Sequence, residues 1–142
     1  MQLKVKKLNN DAKLLTHGHP GDAGMDFYTV NDVTIPAGKQ MKIHTGVAVE
    51  IPEGYVGLIW DKSSISFNMG LKVMGGVIDA GYRGEIIMCM LNTSDKEVTL
   101  EKGNKIAQML IQKFEHCDIV EEVEDLTDTV RGDSREGSTG HK

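Results

Sequence analysis

The feature that most constrains this chain is its alternation of apolar and polar residues in short runs cut by turn residues. "QLKVKKL", "VTIPAGKQMKIHTGVAVEIP" and "EVTLEKGNKIAQMLIQKF" all carry a period of two, which puts successive side chains on opposite faces of a strand. Turn residues stand at Pro36-Ala37-Gly38, Pro52-Glu53-Gly54, Ser94-Asp95-Lys96 and Lys102-Gly103-Asn104. Strands therefore recur roughly every eight to twelve residues, the spacing of a sandwich, jelly roll or barrel. "YVGLIW" and "GEIIMCML" are continuously apolar and read as strands buried on both faces. One helical turn is expected in "KSSISFNMGL", with Ser63 or Ser64 as its cap. From Glu115 to Asp128 the chain is acidic with sparse apolar residues, and none follows Val130. The expected organisation is one all-β domain over 1–126 and a mobile arm over 127–142.

Composition then removes several functional classes. A length of 142 residues suits a single domain with a real core. A formal net charge of −5 gives no basic field for generic nucleic-acid or anionic-membrane binding. Any polyanionic ligand must be met by a few local cations, backbone amides or a metal. Cys89 and Cys117 have no metal-ligand spacing, and "MQLKVKKLNN" lacks the apolar core of a signal peptide, so a reduced, cytoplasmic protein is expected. His17, His19, His44, His116 and His141 form no zinc pattern.

Several stretches could carry chemistry, and each also has a plain structural reading. In "GGVIDAGYRGEI" Asp79 lies in a glycine-flanked turn beside a strand, where a carboxylate can act as general base, and Tyr82 offers a flat face to a planar ring. The same residues also make an ordinary hairpin loop. "DKSSISF" sets two hydroxyls after Lys62 at a helix start, which can meet an anion or simply cap the helix. Asp26 in "PGDAGMDFY" and Gln108 in "GNKIAQMLI" are polar groups within apolar strands. A buried Gln needs hydrogen-bond partners, structural or reacting.

Taken together, "AGMDFY", "KSSI", "GGVIDAGYRGEI", "GNKIAQMLI" and "RGDSREGSTG" resemble, in order, the five motifs of the trimeric dUTPase family, over nearly the whole chain. The resemblance implies a distorted jelly-roll or β-clip subunit in a homotrimer. It also implies active sites between subunits, and hydrolysis of dUTP to dUMP and pyrophosphate with Mg2+. By the third motif, Asp79 would activate the water that attacks the α-phosphorus. Tyr82 would pack on the deoxyribose, and the backbone of Gly76, Val77, Ile78 and Gly81 would read the uracil edge. By the second motif, Lys62, Ser63 and Ser64 would meet the phosphates. By the fourth, Gln108 would hold phosphates or water, and by the first, Asp26 would be a supporting carboxylate. Arg131, Gly137, Ser138 and Thr139 of the fifth would close on the γ-phosphate. Mg2+ would be held by phosphates and water rather than by the protein.

The match departs from the family pattern at two places. Lys62 stands where the family has arginine, which removes a bidentate fork. Ser134, Arg135 and Glu136 replace two glycines and the phenylalanine that stacks on uracil. Impaired arm closure is therefore expected, and a catalytically weakened or non-catalytic, dUTP-binding regulatory member is the alternative reading. The related dCTP deaminases carry a catalytic glutamate that falls, by register, at Cys89, so deamination is not expected. The tripeptide Arg131-Gly132-Asp133 is read as accidental.

Overall fold

The computed structural model describes residues 1–133. Short antiparallel strands fill most of it, with one helix. In chain order these are β1 (Lys4–Lys7), β2 (Thr16–His17), β3 (Met25–Tyr28), β4 (Val33–Ile35), β5 (Gln40–His44), β6 (Val47–Glu50) and β7 (Tyr55–Asp61). The helix α1 (Ser63–Met69) follows, then β8 (Leu71–Met74), β9 (Val77–Ile78), β10 (Ile87–Asn92), β11 (Val98–Leu100) and β12 (Lys105–Lys113). The alternating runs become strands, and the glycine-bearing turns lie between them. Gly38, Gly54 and Gly103 sit at φ 67°, 78° and 83°, the left-handed region that a residue without Cβ reaches without strain. Lys39 N donates to Pro36 O at 3.1 Å and Tyr55 N to Pro52 O at 3.2 Å, closing two of these turns.

The largest sheet has the order β2-β3-β12-β7-β9, a second is β5-β10-β8, and the pairs β1-β6 and β11-β4 complete the jelly-roll-like layers. Between them lies the core, which includes Phe27, Ile35, Ile43, Met88, Met90, Leu100, Ile106 and Met109, all essentially inaccessible. The buried side chains of Asn92 and Thr45 find main-chain partners. Asn92 Nδ2 donates to Ile35 O (2.9 Å) and Lys96 O (2.7 Å), and Thr45 Oγ1 donates to Ile86 O (2.6 Å).

Two expectations need correction. The strands read as doubly buried each keep one open face in a single chain, with Trp60 56% and Ile87 43% exposed. The inward faces of those strands fill this chain's core, and among the described residues the outward ones are only partly covered. The helix is also not capped by serine. Its N-cap is Lys62, in extended conformation and without a side-chain capping bond, so Ser63 and Ser64 fall inside the first turn. After Lys113 no strand or helix occurs among the described residues, and Ile119, Val120, Val123, Leu126 and Val130 are exposed. No helix among the described residues is long and apolar enough to cross a membrane.

Candidate active site

The candidate residues fall into two groups on the large sheet. The first is the "GGVIDAGYRGEI" loop. β9 pairs with the middle of β7 (Gly57 opposite Ile78, Leu58 opposite Val77), and Ile59 N donates to Gly76 O at 2.7 Å. Gly76 has φ 133°, and a Cβ there would lie 2.8 Å from the Ile59 carbonyl oxygen. Only glycine lets the backbone lie so close, which keeps the Gly76–Ile78 edge against the sheet. Past Ile78 the chain turns, and Tyr82 N donates to Asp79 O at 3.0 Å. Arg83 wraps the turn, its Nη1 donating to Ala80 O (2.5 Å) and Tyr82 O (2.9 Å). Gly81, at the exposed tip, has open space where a Cβ would stand.

The Tyr82 ring is folded back, its Oη donating to Glu85 O at 2.9 Å. A Cβ at Gly84 would overlap that hydroxyl and come 2.7 Å from Cζ, so Gly84 is what allows this ring position. Glu85 anchors the far side. Its carboxylate accepts from Gly46 N at 2.8 Å and lies 2.9 Å from His44 Nδ1. Burial pushes the Glu85 carboxyl up, but the bonds to His44 and Gly46 outweigh it and hold it below its ordinary value. The result is a concavity of about 230 Å³ lined by Val77, Ile78, Asp79, Tyr82, Glu85, Ile86 and Ile87. A carboxylate, a flat ring and a backbone edge therefore face one small pocket.

The second group centres on Asp26. β3, β12 and β7 are adjacent, so Asp26, Gln108 and Trp60 stand side by side across three strands and point to the same face. Asp26 is 2% exposed and still charged. Lys62 Nζ lies 2.8 Å from Oδ1 and Lys105 Nζ 2.7 Å from Oδ2. Burial alone would raise its pKa, but the two ammonium groups outweigh that and hold it below the ordinary carboxylate value. Asp26 in turn raises Lys105. Gln108 Nε2 donates to Asp61 O at 2.9 Å. The Asp61 carboxylate accepts from Val73 N (2.7 Å) and Lys72 Nζ (2.6 Å), which pins the end of β7 just before Lys62. Gly24 completes the packing, because a Cβ there would overlap Gln108 Oε1 and lie 3.0 Å from Cδ. Ser63 and Ser64 follow Lys62 at the start of α1.

Several of these residues were not singled out by sequence reasoning: Lys105, Gly24, Gly84, Asp61 and Glu85. All five lie inside the quoted stretches, and for Lys105 and Gly24 the residue types, a cation and a glycine at strand entries, were the available signal. Arg131 is the last candidate within the described residues, whereas Gly137, Ser138 and Thr139, with Ser134, Arg135 and Glu136, lie outside them.

The two groups do not meet within one chain. Asp79 follows Ile78, one step past Gly57, and so stands level with Val56, whereas Gln108 stands level with Trp60. Four residues along β7 and two strand spacings across it separate the two backbones by roughly 16 Å. A general base must come within about 3 Å of its proton, and the two backbones stand several times farther apart than that.

An all-β chain with Asp79 and Glu85 in one pocket and a separate cluster of two lysines, an amide and two hydroxyls around Asp26 has the groups of a class of enzyme that handles a phosphorylated ligand. Within that class the comparisons are specific. The dUTPase family model matches residues 10–140. The deoxyuridine 5'-triphosphate nucleotidohydrolase of Corynebacterium jeikeium is 43% identical over 143 residues, covering 97% of this chain and 92% of its own. That of Clostridium tetani is 43% identical over 140 residues, covering 97% and 96%. A solved structure of the Staphylococcus bacteriophage 80alpha dUTPase with dUPNHPP superposes with a TM-score of 0.90 at 30% identity, covering 98% of both chains. A mutant dUTPase from phage phi11 of S. aureus, solved for its coordination of a structural Mg(II) ion, gives 0.81 at 28% identity, covering 87% of this chain and 98% of its own. The chain belongs to the dUTPase family.

Proposed function

We infer that this chain hydrolyses dUTP to dUMP and pyrophosphate, and that it does so as a homotrimer in which each site is completed by a neighbour. The observation that carries the second part is the separation of roughly 16 Å between Asp79 and Gln108 along the sheet. If both groups act on one triphosphate, as the family motifs imply, they come from different copies in a closed ring. Two further features support this. Val56, Leu58, Trp60 and Val77 share one face of the sheet, where among the described residues Trp60 and Val77 are exposed and Val56 and Leu58 half-buried. The apolar side chains from Ile119 to Val130 are likewise exposed along a segment without secondary structure. Covering such surfaces with a second and third copy removes apolar area from water.

Within such a site the roles divide by chemistry. Asp79 takes a proton from the water that attacks the α-phosphorus, a contribution of about 10²–10⁴-fold. Tyr82 packs against the deoxyribose where a 2′-hydroxyl would collide, and the Gly76–Ile78 backbone, with Gly81, reads the uracil edge. Polar readout of this kind discriminates more sharply than an apolar pocket. Lys62, Ser63, Ser64 and Gln108 of a neighbouring copy receive the phosphates, and residues 127–142 act as an arm that brings Arg131 to the γ-phosphate. Mg2+ bound to the triphosphate would supply charge neutralisation. Both oxygens of Asp26 are already engaged by ammonium groups, which fits a metal held by phosphates and water rather than by a protein cage.

The direct test is steady-state hydrolysis of dUTP against dCTP, dTTP and UTP by the wild type and by Asp79→Asn. The expectation is strong preference for dUTP and near-complete loss in the variant. Undiminished hydrolysis by Asp79→Asn would remove this reading.

A further inference from the structure

The cluster around Asp26 holds more positive charge than that carboxylate needs. Asp26 has one negative charge, and Lys62 and Lys105 each place an ammonium group on a different oxygen of it, at 2.8 and 2.7 Å. The carboxylate side chain is 3% exposed, while those of Lys62 and Lys105 are 25% and 39% exposed. Each lysine therefore keeps a route to solvent and Asp26 has none. A buried carboxylate stripped of its only cation is strongly unfavourable, so a single lysine on Asp26 would be trapped there. With two, one can leave while the other keeps the carboxylate paired.

The surroundings distinguish the two lysines. Lys105 begins β12, where its backbone is held opposite Tyr28 of β3. Lys62 is the extended residue between β7 and α1, followed directly by Ser63 and Ser64, and no hydrogen bond involves either hydroxyl among the described residues. In the sheet only β12 separates β3, which carries Asp26, from β7, which leads into Lys62, and the Lys62 ammonium group reaches across to Asp26.

We propose that Lys105 is a positioning residue that holds Asp26 in place so that Lys62 can swing from Asp26 onto the substrate's phosphates. This rests on the reading of Lys62 as a phosphate contact. In the absence of ligand, Asp26 parks Lys62 in a defined rotamer at the edge of the site, which lowers the entropy lost on binding. When the triphosphate binds, Lys62 exchanges one oxyanion for another, and Lys105 stays. The charge on Asp26 is compensated throughout.

The test is Lys105→Met beside Lys105→Arg, with Lys62→Met/Asp26→Asn alone and combined with Lys105→Met, all measured with Mg2+ and dUTP. In Lys105→Met, Lys62 is the sole partner of Asp26, so KM for dUTP rises about tenfold while kcat stays within about twofold, the signature of lost uniform binding. Affinity for dUMP, which lacks the β- and γ-phosphates, is unchanged. Lys105→Arg restores KM. Lys62→Met/Lys105→Met, with Asp26→Asn added so that no bare buried carboxylate remains, is no worse than Lys62→Met/Asp26→Asn, because there is no longer a lysine to release. Equal weakening of dUMP and dUTP, a fall in kcat without a rise in KM, or additive effects in the combined variant would overturn the proposal.

A measurement on the wild type keeps the proposal open to refutation if Lys105→Met does not fold. In ¹⁵N-lysine spectra, adding the non-hydrolysable analogue dUPNHPP should shift the Lys62 ammonium signal and leave that of Lys105 in place. Movement of both signals, or of neither, contradicts it. Failure of the functional reading itself looks different, since the wild type would then hydrolyse no dUTP at all.

Discussion

Gly24→Ala reaches the phosphate half of the site through one neutral side chain, that of Gln108. Gly24 stands just before β3, and the nearest atoms to an added Cβ all belong to one side chain. It would overlap Gln108 Oε1, lie 3.0 Å from Cδ and 3.5 Å from Cβ of the same residue. Because the obstacle is the far end of a flexible side chain, the fold can accept alanine by turning the Gln108 amide away. That breaks the 2.9 Å bond from Nε2 to Asp61 O, a loss of about 0.5–1.5 kcal/mol. For a chain of this size the melting temperature should fall by only about 2–5 °C. The effect on activity is much larger, since a displaced donor is worth about 10²-fold when it serves a developing charge. Pyrophosphate release from dUTP, measured beside thermal melting, should show kcat/KM for Gly24→Ala close to that of Gln108→Ala. The double variant should be no slower than either. Wild-type kcat/KM in Gly24→Ala, or multiplicative losses in the double variant, would refute the idea that Gly24 exists to seat Gln108.

Two further outcomes follow from the same geometry. Gly84→Ala pushes on the Tyr82 hydroxyl, breaking its bond to Glu85 O. Discrimination between dUTP and UTP should then fall by about tenfold or more, read as the ratio of the two kcat/KM values, while Asp79-dependent hydrolysis persists. Asp26→Asn leaves two lysines without a counter-charge. Since the folded-state pKa of Asp26 lies below its ordinary 3.8, its contribution to stability is complete above that value and disappears as pH falls through the lower folded one. The melting temperature of Asp26→Asn should thus trail the wild type at pH 7, and the gap should close as the pH falls below 3.8; a gap that widens on acidification would contradict the sign.

How much of this was legible beforehand divides by sequence distance. The strands were readable because period-two alternation and positive-φ glycines such as Gly38, Gly54 and Gly103 are local signals. The pocket around Asp79 was readable as a motif, since Gly76, Asp79, Tyr82 and Gly84 lie within nine residues of one another. The Asp26 cluster was not, because Asp26, Lys62 and Lys105 meet only through the order β3-β12-β7, which no local pattern encodes. The serine cap failed for a related reason. Lys62 is held by Asp26 in extended conformation, so it takes the capping position and moves Ser63 into the helix. Trp60 and Ile87 are exposed on β7 and β10, a property set by what packs against the sheet and not by the apolar run itself. "YVGLIW" and "GEIIMCML" read as doubly buried, and a neighbouring copy is what would bury them.

The central claim is that a working site draws Asp79 from one chain and the Gln108 group from another. Mixed refolding of two separately inactive variants tests it most directly. Asp79→Asn and Gln108→Ala chains, combined in equal amounts and reassociated at random, should regain about one quarter of wild-type dUTP hydrolysis, because each site draws its two halves independently from different copies. Each variant refolded alone should stay inactive. If the mixture never rises above the two parents, although mixed oligomers are present by mass, the two halves do not come together between chains.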